Sequence, residues 1–301
     1  MTIDFKALGA KAAASGVDMT KAQTGGGGGD YEPPAAGPTR LRFVSYVELG
    51  KQKVKSMGKE VVKERVLLTF ELSGPKHQPT VNDDGEKIPH RISIEESLSL
   101  NEKANFFKLF GRLNYAGSAQ HIAQLLGSAY KATVVHRKYA KAGEDKADQT
   151  KWTGIAAELK SKADGYTIQP PRYEDPETGD VLPLAVAPAI TPIKLFLWNF
   201  PDMEQWASIY IDGEYPERKD DKGVVTAKAK SKNVFQNRIK SAVNFQNSPI
   251  HVLLAGNGAP LDIPDAEDGR DPDEDEHDVT TDIKGQGKPV VSDDDALNGV
   301  V

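Results

Sequence analysis

Alternating apolar and polar positions mark three extended runs in the first hundred residues. In Leu41-Arg-Phe-Val-Ser-Tyr-Val-Glu-Leu49 the pattern sets Leu41, Phe43, Val47 and Leu49 on one face, with Arg42, Tyr46, Glu48 and Val44 on the other. Val61 to Leu72 repeats it through Val66, Leu68, Phe70 and Leu72, and Ile88 to Leu98 gives a third strand after a turn-rich stretch from Ser73 to Lys87. The period then lengthens to that of a helix. Ala104, Phe107 and Phe110 share a stripe between Asn101 and Leu113, with Ser99 and Glu102 spaced as a capping box and Gly111 as the stop. A shorter helical piece runs from Ser118 to Leu126. Two β-branched runs, Ala129 to Tyr139 and Thr150 to Lys160, follow as strands joined by a polar, lysine-bearing loop.

Three strands, a helix and two strands is the order of an OB-fold, although other β-rich domains share it. The expected class is therefore mainly β with helices (α+β). It is a five-stranded OB-fold-like Greek-key barrel with a helix between strands 3 and 4, a C-terminal helix and a disordered acidic tail. The domains read as a flexible Gly-rich arm (1–39), an OB-fold-like core (40–163), a Pro- and aromatic-rich extension packing on the core (164–255), and the tail (256–301). Within the arm, a docked helix over Phe5 to Ala14 is the alternative. Within the extension, Ile193 to Phe200 and Met203 to Ile211 are apolar and aromatic. A helix from about Ser231 to Gln246 carries Phe235, Ile239, Ala242 and Val243 and ends before Pro249.

Charge divides the chain more sharply than the net −6 shows. From Asp262 to Val301 lie fourteen of the 44 Asp and Glu but only three of the 38 Lys and Arg, so that segment carries −11 and the remainder +5. A basic body with an acidic end points to a polyanion-binding surface and a tail that competes for it or recruits partners. The basic residues gather in two loops that would border an OB-fold's ligand face. One holds Lys51, Lys53, Lys55 and Lys59, with Lys63 and Arg65 just beyond it. The other holds Arg137, Lys138, Lys141 and Lys146, with Lys151 at its far end. With Arg42 they are the candidate phosphate contacts, and Tyr46, Tyr139 and Trp152 the candidate base-stackers. In the tail, Asp271, Asp273, Glu274, Asp275, Glu276, Asp293, Asp294 and Asp295 form the recruiting segment. The plain alternatives are solvated lysines, packing aromatics and a solubility tail.

Other chemistry is not indicated. The chain has no Cys, which excludes disulfides and thiol catalysis. Its six histidines show no metal-ligand spacing, and the Asp271, Asp273, Asp275 run lacks the Gly of a calcium loop, with Glu276 in its place. Gly58-Lys59 is followed by Glu60, so it is no P-loop. No enzyme and no cofactor is expected, and no run approaches the roughly 18 apolar residues of a spanning helix.

Several short runs carry a resemblance. Leu41 to Gly50, Val66 to Leu72, Ser97 to Asn105, Leu125 to Gly127, Thr133 to His136, Pro201 to Gly213 and Ala242 to Pro249 resemble single-stranded DNA-binding replication proteins of tailed bacteriophages. The resemblance covers about residues 40–255. It implies an OB-fold body, DNA binding without chemistry, and a role in phage replication, recombination or repair in the cytoplasm of the bacterial host. It also implies recruitment of a phage polymerase, helicase or primase through the tail, with self-association possible for such proteins. The chain departs from that group at its end, which is Asn298-Gly-Val-Val301 rather than an aromatic residue. The competing expectations are an adaptor or host-factor inhibitor docking through Ile193 to Ile211, and an RNA-binding regulator of the same fold.

Overall fold

The computed structural model describes residues 32–56, 59–82, 85–141, 143–219 and 223–262. It is a mixed fold of antiparallel sheets and a few helices. Chain order in the main sheet and its helices is β1 (Gly37–Ser56), β2 (Lys59–Ser73), β3 (Arg91–Ser97), α1 (Asn105–Leu113), β4 (Ala129–Tyr139) and β5 (Gly154–Glu158). After these come β6 (Lys194–Phe196), α2 (Met203–Ser208), α3 (Val234–Lys240) and α4 (Pro249–Gly256). The strands lie side by side as β3-β2-β1-β4-β5, and β6 pairs parallel to β1 at Ser45 to Val47.

The expected closed barrel is not formed: among the described residues no ladder joins β3 to β5. β5 stops at Glu158 after five residues, and side chains bridge the gap instead. Glu96 on β3 accepts from the Tyr166 hydroxyl and stands 3.5 Å from Lys160 Nζ.

Strict alternation also fails in β1, because two residues are bulged out of register. Phe43 opposes Phe70 but Ser45 opposes Thr69, and Glu48 opposes Val66 but Gly50 opposes Arg65, leaving Val44 and Leu49 as extras. The first bulge turns Tyr46 onto the face of Leu41 and Phe43, where α1, β4 and Ile122 cover it. Val47 and Leu49 go to the opposite face with Leu67, and there Phe196, Trp198, Trp206, Ile209 and Ile239 bury them. Both sheet faces are thus occupied, which is why the middle of β1 and β2 is apolar on both sides.

Two buried carboxylates fasten the extension to the sheet. Glu48 accepts from the Trp198 amide at 2.7 Å and from the Tyr46 hydroxyl at 3.0 Å. Glu71 accepts from the amides of Ile190 at 2.8 Å and Thr191 at 2.7 Å. Gly50 is required where Trp198 crosses β1: its φ is +72°, and a Cβ there would lie 2.2 Å from the indole ring.

Three local readings change. The first helix begins at Asn105 after Ala104, without a side-chain cap; it buries Phe106, Leu109 and Leu113 and runs through Gly111. The expected stripe is rotated by one position, and Phe107 is exposed. The single expected C-terminal helix is two, α3 and α4. Pro249 opens the second instead of closing the first, because proline fits the first turn of a helix, and Ser248 caps it by accepting from the His251 amide. Lastly, the basic stretch after Gly50 is strand, not loop. β1 and β2 continue past the sheet as a two-stranded ribbon pairing Lys51 with Glu64, Lys53 with Val62 and Lys55 with Glu60.

Candidate nucleic-acid interface

The ribbon makes one wall of a cleft of about 1800 Å³ whose lining also comes from β3, the start of α1, the ends of β4 and β5, and α3. Among the described residues nine basic side chains line it: Lys51, Lys53, Lys55, Lys63, Arg65, Lys103, Arg137, Lys160 and Arg238. Five carboxylates oppose them, Glu60, Glu64, Glu95, Glu96 and Glu158. Alternation sets Lys51, Lys53 and Lys55 on one side of the ribbon and Lys63 and Arg65, opposite Gln52 and Gly50, on the other, so the cleft draws on both sides of the ribbon.

The floor is rigid. Glu95 accepts from Arg65 Nε at 2.9 Å and from both terminal nitrogens of Arg238, at 2.7 and 2.9 Å. Burial alone would raise the Glu95 carboxyl, but Arg238 and then Arg65 outweigh it and hold the group below the ordinary glutamate value. Glu96 is fixed beside it by Tyr166, whose phenol is pushed well above its usual value by burial and by the Glu96 charge. Two guanidiniums are therefore spent on the floor, while exposed Lys51, Lys53, Lys55, Lys63 and Lys103 stand along the walls. Lys53 also pairs with Glu60 at 3.2 Å, an exposed contact of little energetic weight.

Six of the sequence-predicted residues meet here: Lys51, Lys53, Lys55, Lys63, Arg65 and Arg137, the last held by Glu158 at 2.5 Å. The others do not line the cleft. Arg42 is a structural clamp, donating to the carbonyls of Val186, Ala187 and Gly127. Tyr46 is 0% exposed, turned inward by the bulge, and cannot offer its ring to a base. Lys59 lies at the ribbon's far end, and Lys138 and Lys141 are exposed on the other hairpin. There Lys151 pairs with Asp148 at 2.9 Å, Trp152 donates to the Asp145 carbonyl at 3.1 Å, and the Tyr139 ring lies against Gly154. The tail residues Asp271, Asp273, Glu274, Asp275, Glu276, Asp293, Asp294 and Asp295 lie outside the described residues, as does the arm through Tyr31.

Lys103, Lys160 and Arg238 were not singled out from the sequence. Lys103 and Lys160 sit at the margins of predicted elements, where a rim position could have been suspected. Arg238 is 143 residues from its partner Glu95, so no local pattern signals it. Among the described residues the only aromatic ring in the lining is that of Tyr166, which is buried.

No protein-family model matches the chain, and no curated protein or solved structure matches it at the significance required. No helix among the described residues is long and apolar enough to cross a membrane.

Proposed function

We propose that this chain is a non-enzymatic single-stranded DNA-binding protein of phage replication and recombination, acting in the bacterial cytoplasm. The observation that carries the reading is the cleft, a channel with nine cations against five carboxylates and a prebuilt floor. Such a channel attracts phosphates and gains entropy from the counterions they release. The strand order β3-β2-β1-β4-β5, with a helix between β3 and β4, supports an OB-fold-like architecture, a class in which the barrel is partly open. Because the cleft presents no exposed ring among the described residues, phosphate contacts rather than base stacking hold the strand there. The acidic segment after Leu261 is the natural competitor for the same cations and the recruiter of polymerase, helicase or primase.

Fluorescence anisotropy of labelled oligo-dT, set against duplex of equal length over a salt series, tests the reading. Oligo-dT binds more tightly at low salt, and the logarithm of affinity falls linearly with that of salt, by about 0.7 per phosphate engaged. Equal or weaker binding than duplex sinks it. One observation favours a second reading, an adaptor without nucleic-acid affinity: Phe200 is 77% exposed, with Ile193 and Met203 also exposed in the same segment. That reading predicts no oligo-dT binding at any salt.

A further inference from the structure

Beyond the cleft, the sheet face under the extension changes character row by row. Phe196, Val47 and Leu67 form an apolar row ending at Glu95 on β3. The next row is Lys194, Ser45, Thr69 and Ser93, and the one after it pairs Arg42, Glu71 and Arg91. Lys194 and Arg91 therefore stand on one face, at opposite ends of the two polar rows. The span between their backbones is roughly three strand spacings across and two residues along, about 16 Å, which two long cationic side chains can close.

One carboxylate lies among these cations: Glu71, opposite Arg91 on β2, draws that guanidinium towards its charged form. Arg42 is committed to three carbonyls, and both oxygens of Glu71 accept backbone amides from Ile190 and Thr191. Among the described residues no carboxylate lies within ion-pair distance of Arg91 or Lys194, and the only partner of the Lys194 ammonium is the Phe235 ring, 5.6 Å away. Both side chains are half-buried. Burial, and after it the Arg91 charge, lowers the Lys194 ammonium from its ordinary value; burial lowers Arg91 against the pull of Glu71. Ser45, the register partner of Lys194, and Thr191, whose amide Glu71 holds, carry buried hydroxyls with no hydrogen-bond partner among the described residues, 3% and 8% exposed. Arg42, Arg91 and Lys194 set against the single carboxylate of Glu71 leave an excess of positive charge in a half-buried place, which a second anion would offset.

We propose that Arg91 and Lys194 form an anion site that takes a phosphate group, supplied either as inorganic phosphate or by a nucleotide chain. A planar guanidinium and a point-charge ammonium together suit a tetrahedral oxyanion, and the two hydroxyls can donate to its remaining oxygens. The site does not depend on the reading of the cleft, although Ser93 in the cleft lining is only two residues, roughly 7 Å, from Arg91.

The test uses the full chain. Lysines are acetylated with acetic anhydride and counted by mass spectrometry, without additive, with inorganic phosphate at constant ionic strength, and with oligo-dT. A bound anion favours the protonated ammonium, so phosphate slows acetylation of Lys194 by about threefold or more and leaves exposed Lys162 unchanged. Protection by phosphate alone assigns the site to a free anion, and protection by oligo-dT as well assigns it to the strand. No selective protection by either overturns the proposal. Lys194→Gln removes the rise in Tm that phosphate gives the wild type; a rise that persists in the variant also overturns it. Oligo-dT that binds without protecting Lys194, in a protein phosphate does not protect either, removes this site and leaves the cleft reading standing.

Discussion

Single residues here act chiefly by fixing others. Glu95 is the clearest case, since one carboxylate orders two arginines that would otherwise repel under the ribbon. Glu95→Ala removes the carboxylate that the two half-buried guanidiniums share, and is expected to cost about 3 kcal/mol in urea unfolding at neutral pH. The folded carboxyl titrates below its ordinary value of 4.5, so the folded state binds fewer protons than the unfolded one. Its contribution is complete above 4.5 and lost as pH falls below that value through the folded one. The gap between wild type and variant should accordingly narrow on acidification; a constant gap from pH 7 to pH 3 contradicts the account. Tyr46 teaches the converse. Its place in the alternation with Arg42 and Glu48 reads as an outward aromatic only if the strand alternates without interruption, and the extra residue Val44 reverses it.

At the scale of elements, the sequence shows clearly where strands lie and poorly where they end. Ala129 to Tyr139 is legible to the residue, because β-branched and aromatic side chains are bounded by Gly127 and a polar loop. The ribbon was hidden by its composition. Lys51, Lys53 and Lys55 alternate with Gln52 and Val54 at strand spacing, but charge density there reads as a turn. Pro249 was read as a stop because proline both starts and ends helices, and only Ser248 before it, with its side-chain cap, settles which. The ribbon's lysines supply the functional prediction. Replacing Lys51, Lys63 and Lys103 together with Gln removes three wall cations without touching the floor. The salt dependence of oligo-dT affinity should fall by about 2 in log–log slope, and Tm should stay within about 1 °C. An unchanged slope places the strand elsewhere.

For the molecule as a whole, the division of charge was legible in the sequence and the cleft was not. Nine cations drawn from six separate stretches, Lys51 to Arg238, become neighbours only through the pairing of β3 with β2 and the docking of α3. Charge that looks evenly dispersed between Gly50 and Lys160 is therefore gathered around one cleft. Truncation after Leu261 removes −11 and leaves a body of +5. Tighter oligo-dT binding by the truncated chain at low salt, converging with the full chain at high salt, is the expected outcome. Equal affinities throughout the series would reduce that segment to a solubilising role.

Glu48 and Glu71 reach across 150 and 120 residues for the amides they hold. During synthesis both acceptors leave the ribosome long before Thr191 and Trp198 exist. Through that interval the outer surface of the sheet, Val47 and Leu67 included, stays uncovered. Nascent copies stalled before residue 190 should thus be the species that chaperones capture and that coalesces at high expression, whereas the finished chain shuts that window by docking its own last third.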